Sequence, residues 1–124
     1  MPRVTGIGGV FVKARDPKAL AAWYRDALGM DVQDWGGAQL WNDVPEGART
    51  YGVWSAFAEK SDYFAPSERP FMINLRVDDV DGLIAQLKAR GDRVLDRVED
   101  SEFGKFRYVV DPEGTLLELF QPAP

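Results

Sequence analysis

Glu118 is the residue whose type and setting most directly suggest chemistry. It lies within residues 116–120, and the remaining four residues of that segment are all leucine or phenylalanine. Burying a carboxylate among such side chains is costly unless it has a polar partner. An ion pair with Lys13 or Arg76 is the structural explanation that we favour. Without such a partner, Glu118 is a candidate general base.

The chain contains no histidine and no cysteine. This excludes catalytic arrangements that need either residue, and it excludes metal sites built from imidazole or thiolate. Oxygen-only ligation of Mg²⁺, Ca²⁺ or Mn²⁺ is the remaining alternative for a metal site. We therefore expect no cofactor and no bound transition metal.

The composition predicts a globular, cytoplasmic protein. The net charge of the 124 residues is −5, and acidic and basic residues are mixed along the chain. Nucleic-acid-binding proteins have a basic surface that is missing here, so we expect no nucleic-acid partner. No apolar run has the length of a membrane span, and residues 1–3 do not lead into a signal sequence, so we expect no membrane association.

The elements that position Glu118 occur twice in the chain. Residues 10–16 align with residues 73–79, and the similarity continues through the following helix and strand. Matching positions carry the same residue type: Asp16 and Asp79, Leu20 and Leu83, Gly29 and Gly91, Val32 and Val94. We expect one domain over residues 1–124, made of a unit at about 7–57 and a unit at about 71–121, joined by a linker at 58–70.

Each unit is predicted to have the order β-α-β-β-β. In the first unit, strands are expected at 8–14, 31–35, 38–42 and 50–57, with a Gly36–Gly37 hairpin turn and a helix from Asp16 to Gly29. In the second unit, strands are expected at 71–77, 93–97, 105–110 and 116–120, with a helix from Asp78 or Asp79 to Gly91 and a type I turn at 111–114.

This order resembles the vicinal oxygen chelate superfamily, which includes glyoxalase I, extradiol dioxygenases, fosfomycin-resistance transferases and bleomycin-resistance proteins. The closing residues 111–122 (DPEGTLLELFQP) and the opening segments 8–17 and 22–29 carry the resemblance. It implies an α+β fold in which two βαβββ repeats form a U-shaped half-barrel, within a homodimer. It also implies that the open side of the half-barrel holds the substrate.

The resemblance implies four metal-ligand positions. They correspond here to Glu118, Met72, Gly9 and either Trp54 or Ser55. With Trp54 at the fourth position, only one of the four, Glu118, is a residue that usually binds a metal. We therefore do not expect the metal-dependent activities of the superfamily.

Strand alternation predicts which side chains face the cleft. The expected ligand-binding residues are Phe11, Lys13, Trp54, Met72, Asn74, Arg76, Tyr108 and Phe120, with Glu118 as the candidate catalytic residue and Phe106 as a further cleft residue. Aromatic rings with a few polar groups are typical of a small-molecule site. Packing without a ligand explains each aromatic residue equally well.

The linker at 58–70 is polar and contains the isolated aromatic residues Tyr63 and Phe64. It is either a rim or lid of the cleft or a surface linker with two residues tucked down for packing, and we favour the second interpretation.

Two functions from different classes follow. The first is a metal-independent small-molecule-binding protein of the glyoxalase/bleomycin-resistance type, with its ligand in an aromatic cleft. The alternative is a glyoxalase-like lyase or isomerase that uses Glu118, with or without an oxygen-ligated divalent metal. A regulatory domain that binds a metabolite is a third interpretation.

Overall fold

The computed structural model describes residues 2–28, 30–41 and 51–124. The strands and helices are, in chain order, β1 (Val4–Ala14), α1 (Pro17–Leu28), β2 (Gly37–Trp41), β3 (Tyr51–Ala58), β4 (Phe71–Val77), α2 (Val80–Arg90), β5 (Arg93–Ser101), β6 (Gly104–Val110) and β7 (Leu116–Pro122).

The seven strands of the described residues belong to one sheet, in the order β2-β3-β1-β4-β7-β6-β5. β1 is parallel to β3, and β4 is parallel to β7. The first strands of the two halves, β1 and β4, pair antiparallel at the centre and join the halves. This is the expected α+β class, an open curved sheet with both helices on one face.

The ends of the helices follow the capping signals. The Asp79 side chain accepts a hydrogen bond from the Gly82 amide at the start of α2, and Gly91 ends that helix in the left-handed conformation with φ +89°. At α1, the Asp16 side chain accepts from the Ala19 amide at 3.1 Å. The predicted stop at Gly29 lies outside the described residues.

The strand predicted at 31–35 is wrong. The Gln33 amide donates to the Gly37 carbonyl at 2.8 Å, and the Gly36 amide donates to the Gln33 carbonyl at 2.9 Å. These bonds close a local turn, with Gly36 at φ +97°, so the main chain there is not available for a ladder. The expected residues Asn42 and Thr50 lie outside the described part of the chain.

The two faces of the sheet have separate cores. On the face that carries the helices, Val77, Val109 and Leu119 pack with Val80 of α2. On the opposite face, which we call the concave face, the buried cluster is Phe11, Phe64, Met72, Tyr108, Val110 and Leu116. No helix in the described ranges is long and apolar enough to cross a bilayer.

Candidate functional site

The candidate site lies where three neighbouring strands align polar side chains on the concave face. Asn74 of β4 is opposite Glu118 of β7, and Glu118 is opposite Tyr108 of β6. Alternation puts all three side chains on the same face, in a row perpendicular to the strands. All three are buried, with 1% of Glu118 exposed.

Both carboxylate oxygens of Glu118 accept hydrogen bonds from uncharged groups. Asn74 Nδ2 donates to Oε1 at 2.7 Å. The hydroxyls of Tyr63 and Tyr108 lie 2.5 Å and 2.7 Å from Oε2. Hydrogen bonds to an ionised acceptor are stronger than neutral ones, so these three donors stabilise a buried carboxylate.

The predicted ion pair of Glu118 is wrong. Lys13 Nζ lies over the Phe64 ring, 5.4 Å from its centroid. The Arg76 guanidinium donates to the Tyr51 carbonyl at 2.6 Å. Both basic residues lie on strands next to the site, but among the described residues neither forms a salt bridge with Glu118.

Asn74 is held in one orientation by Glu118. Its Nδ2 faces the carboxylate, and its Oδ1 is buried without a hydrogen-bond partner among the described atoms. A Cβ at Gly8 would lie 2.1 Å from that oxygen, so only glycine leaves room for the amide. Reversing the amide would place its oxygen against the carboxylate, which the observed orientation avoids.

The linker contributes the contact that the sequence reasoning missed. Tyr63 reaches Glu118 from the linker, and the neighbouring Phe64 is fully buried in the concave cluster. The interpretation that the two aromatic residues are tucked down describes their positions correctly. The isolated aromatic pair in a polar segment was the available signal, but it did not indicate Glu118 as the partner.

Arg97 and Glu99 of β5 complete the site, and both were missed. The Arg97 guanidinium lies 4.3 Å from the ring centroid of Tyr63 and 4.2 Å from that of Tyr108. It also pairs with Glu99 Oε1 at 3.2 Å. Tyr108 lies 2.7 Å from Glu99 Oε2. Strand β5 continues beyond the predicted end at 97, which brings Glu99 to the site.

Burial is the first cause that raises the pKa of the phenol of Tyr63 and of Tyr108 above the ordinary value of 10.0. The negative charge of Glu118 is the second cause for both phenols. Both hydroxyls therefore keep their protons over the ordinary pH range and act as donors.

Proton counting sets a limit on this cluster. Three short oxygen–oxygen contacts, two to Glu118 and one to Glu99, share only the two phenol protons of Tyr63 and Tyr108. All three are hydrogen bonds at once only if one carboxyl group carries a proton; otherwise Tyr108 donates to one carboxylate at a time. Tyr108 thus connects buried Glu118 to Glu99, whose side chain is 45% exposed.

Apolar and aromatic residues surround the polar row as predicted. Phe11 and Met72 are buried and opposite each other on β1 and β4. Phe106 and Phe120 stack with ring centroids 4.6 Å apart. The concave face therefore combines flat apolar rings with one anchored carboxylate.

Trp54 does not belong to the concave face, so its predicted place in the cleft is wrong. It pairs with Val10, and its ring centroid lies 4.4 Å from that of Tyr24 on α1. Phe11 pairs with Ser55 instead, which places buried Ser55 on the concave face. The alternative assignment of this position to Ser55 is the one that the register supports.

The residues present do not fit the metal site that the resemblance implies. Its four positions hold Gly9, Ser55, Met72 and Glu118, and three hydrogen-bond donors already occupy the Glu118 oxygens. The described residues contain no group of three or more acidic side chains arranged to hold a metal ion.

The model of the glyoxalase-like domain family matches residues 9–120. This match confirms the resemblance that the sequence motifs indicated. No protein with a curated description matches the sequence of this chain.

Several solved structures share the fold. The chain is 24% identical to methylmalonyl-CoA epimerase from Mycobacterium tuberculosis, with a TM-score of 0.66 over 98% of this chain and 90% of that one. A Streptomyces coelicolor methylmalonyl-CoA epimerase variant in complex with 2-nitronate-propionyl-CoA is 22% identical, with a TM-score of 0.68 over 98% and 100%. A glyoxalase/bleomycin resistance protein/dioxygenase superfamily member from Vibrio splendidus 12B01 is 17% identical, with a TM-score of 0.60 over 98% and 99%. At these identities the likeness shows the fold alone.

Proposed function

Because the chain belongs to the glyoxalase-like domain family, we propose that it binds a small organic molecule on the concave face without a metal ion. Glu118 is the polar anchor of the ligand, and the aromatic side chains around it provide the apolar surface. In the same proposal the protein is cytoplasmic, as its composition suggests.

The observation that carries this proposal is the way Glu118 is held. A side chain needed only for packing would be apolar, because burying a carboxylate costs free energy that leucine does not. Here Glu118 is 1% exposed, and its three donors are all uncharged. A carboxylate held by three hydrogen-bond donors inside an aromatic cluster is suited to orienting a ligand or accepting a proton.

The test compares ligand binding by the wild-type chain and Glu118→Gln. A chemically varied library is screened by thermal shift, and ligands carried through purification are identified by native mass spectrometry. Compounds that raise the melting temperature of the wild type should lose that effect with Glu118→Gln and keep it with Glu102→Gln, which removes an exposed carboxylate from the β5–β6 turn. Equal shifts in all three proteins would contradict the role of Glu118.

The alternative function is a metal-free lyase or isomerase with Glu118 as the base. The chain of contacts from exposed Glu99 through Tyr108 to Glu118 favours it, because a general base must exchange its proton with solvent between turnovers. Tyr108→Phe separates the two functions, because it interrupts the proton path: a catalyst loses turnover in excess of any loss in affinity, whereas a binding protein changes in affinity alone.

We extend the proposal to a homodimer formed through the helix-bearing face. Val4, Ile7 and Val10 of β1 are 46%, 61% and 42% exposed. All three pair with residues of β4 whose side chains lie on the helix-bearing face. A register shift between Ile7 and Gly9 keeps the side chains of Ile7 and Val10 on that same face. These three side chains form an exposed apolar strip along β1. The same strip on a second copy of the chain would cover it in a dimer with two-fold symmetry.

A further inference from the structure

We propose that the concave face recognises a phenolic ligand, an uncharged aromatic ring that carries a hydroxyl group. In this proposal the side chain of Tyr63 occupies the position of that ligand when the ligand is absent. The inference rests on the proposed function and adds the chemical class of the ligand. Tyr63 belongs to the linker between β3 and β4, so the site around it is built by other parts of the chain.

The surroundings of Tyr63 are those of a bound aromatic molecule. Its hydroxyl lies 2.5 Å from Glu118 Oε2. The Arg97 guanidinium lies over its ring at 4.3 Å, and the Phe57 ring is tilted by 31° at a centroid distance of 5.1 Å. Tyr108 meets the ring edge-on at 6.4 Å. Strands β3, β5, β6 and β7 therefore all contribute side chains that contact the phenol.

The charges around this position select among ligand classes. An anionic group beside Glu118 would be repelled and would have to displace a donor. A cation would pair with Glu118 but would meet the guanidinium of Arg97. An aliphatic alcohol could donate to Glu118 but would offer no π face to Arg97. A neutral aromatic hydroxyl satisfies both groups, as Tyr63 does.

Tyr63 is placed to be displaced without unfolding the core. It is only partly buried, whereas the adjacent Phe64 is fully buried and packs in the concave cluster. The main-chain bonds around Tyr63 are local turns, from Ala65 to the Asp62 carbonyl and from Ser67 to the Phe64 carbonyl. From outside the linker, the Arg97 guanidinium holds the Tyr63 carbonyl at 2.9 Å. Phe64 can therefore stay in place while the phenol of Tyr63 swings out.

The test uses p-cresol, which reproduces the tyrosine side chain, and toluene, which lacks only the hydroxyl. Binding of each to the wild type, Tyr63→Ala and Tyr63→Phe is measured by NMR titration, with circular dichroism to show that each variant is folded. Tyr63→Ala vacates the position, and Tyr63→Phe keeps the ring while removing the hydroxyl that occupies Glu118.

We expect the wild type to bind p-cresol weakly and Tyr63→Ala to bind it at least about tenfold more tightly, because no internal hydrogen bond to a charged acceptor has to be broken. The affinity of Tyr63→Phe for p-cresol should lie between those of the wild type and Tyr63→Ala. Toluene should bind Tyr63→Ala about tenfold more weakly than p-cresol, since it cannot replace the hydroxyl that Tyr63 donates to Glu118 Oε2. If Tyr63→Ala does not fold, tighter p-cresol binding by Tyr63→Phe than by the wild type supports the proposal in its place.

Three outcomes would overturn the proposal. Equal affinity of Tyr63→Ala for toluene and p-cresol would show a cavity without hydroxyl recognition. Equal p-cresol affinity of the wild type and the Tyr63 variants would place the binding elsewhere. Binding by the variants alone, with none by the wild type at saturating p-cresol, would make Tyr63 a permanent part of the core.

The proposed function can survive the failure of this inference. If phenols fail but a compound of another class stabilises the wild type and not Glu118→Gln, only the ligand class proposed here is wrong. If no compound of any class acts through Glu118, the proposed function fails as well.

Discussion

The hydroxyl of Tyr63 donates to Oε2 of Glu118 at 2.5 Å, although 55 positions separate the two residues in the chain. The contact brings the linker between the two halves onto a strand of the second half. It also means that the anchor of the proposed ligand is occupied by the protein itself. Any molecule that reaches Glu118 must first compete with Tyr63.

Glu118→Gln should leave the melting temperature unchanged or raise it, while ligand affinity falls. The substitution removes a buried charge that has no cationic partner among the described residues, and glutamine keeps an oxygen that can accept from the two phenols. Asn74 can reverse its amide and accept from the new NH₂ group. Thermal melts and ligand titrations of the two proteins measure both effects. A clear loss of stability would show that the negative charge itself is needed.

Glu118→Leu is the matched control for the same position. Leucine removes the carboxylate that accepts from the Tyr63 phenol and the Asn74 amide, whereas the Tyr108 phenol keeps Glu99 as an acceptor. Each buried donor left unpaired costs roughly 1–3 kcal/mol, so we expect a marked fall in the free energy of unfolding, measured by urea titration. If Glu118→Leu is as stable as Glu118→Gln, the hydrogen-bonded row contributes little to the fold.

Much of the site was predictable from strand alternation and the internal repeat. Phe11, Met72, Asn74 and Tyr108 lie on the concave face as predicted because each belongs to a strand whose apolar pattern determines its orientation. Trp54 was misplaced because a one-residue difference in register moves a side chain to the other face. Matching the two halves could not resolve that difference.

The partners of Glu118 could not be predicted in the same way. Lys13 and Arg76 belong to neighbouring strands, but a long basic side chain can reach several acceptors. Arg76 donates a hydrogen bond to the Tyr51 carbonyl and not to Glu118. Tyr63 belongs to a linker without periodicity, so no pattern in the sequence indicates where its side chain lies. Contacts between a loop and a distant strand depend on the tertiary structure.

The stability of the protein should fall above about pH 10 because of Tyr63 and Tyr108. Burial and the charge of Glu118 raise the pKa of both phenols above 10.0 in the folded state, so the unfolded chain releases these protons first as the pH rises. Their contribution is fully present below pH 10 and is lost above it, since the folded state then binds more protons than the unfolded state. Urea titrations from pH 8 to 11 should show a shallower alkaline decline for Tyr108→Phe than for the wild type. Parallel declines would contradict the assignment.

The purified protein should contain far less than one equivalent of zinc, iron, nickel or cobalt per chain. Imidazole and thiolate are missing from the sequence, and three donors occupy the oxygens of Glu118. Elemental analysis before dialysis measures the transition metals, and calorimetric titration with Mg²⁺, Ca²⁺ and Mn²⁺ tests the oxygen-only alternative. One equivalent of any ion that disappears in Glu118→Gln would contradict metal independence.

The protein should be a dimer that Ile7→Asp converts to a monomer. Ile7 is 61% exposed within one chain, so a charge there should cost little folding stability, whereas it would be buried in the proposed interface. Phe103→Asp is the matched control, because Phe103 is 58% exposed but belongs to the β5–β6 turn rather than to the apolar strip of β1. Light scattering at micromolar concentration should report a dimer for the wild type and Phe103→Asp and a monomer for Ile7→Asp. A monomeric wild type would remove the interface from the proposal, and a dimeric Ile7→Asp would move it to another surface.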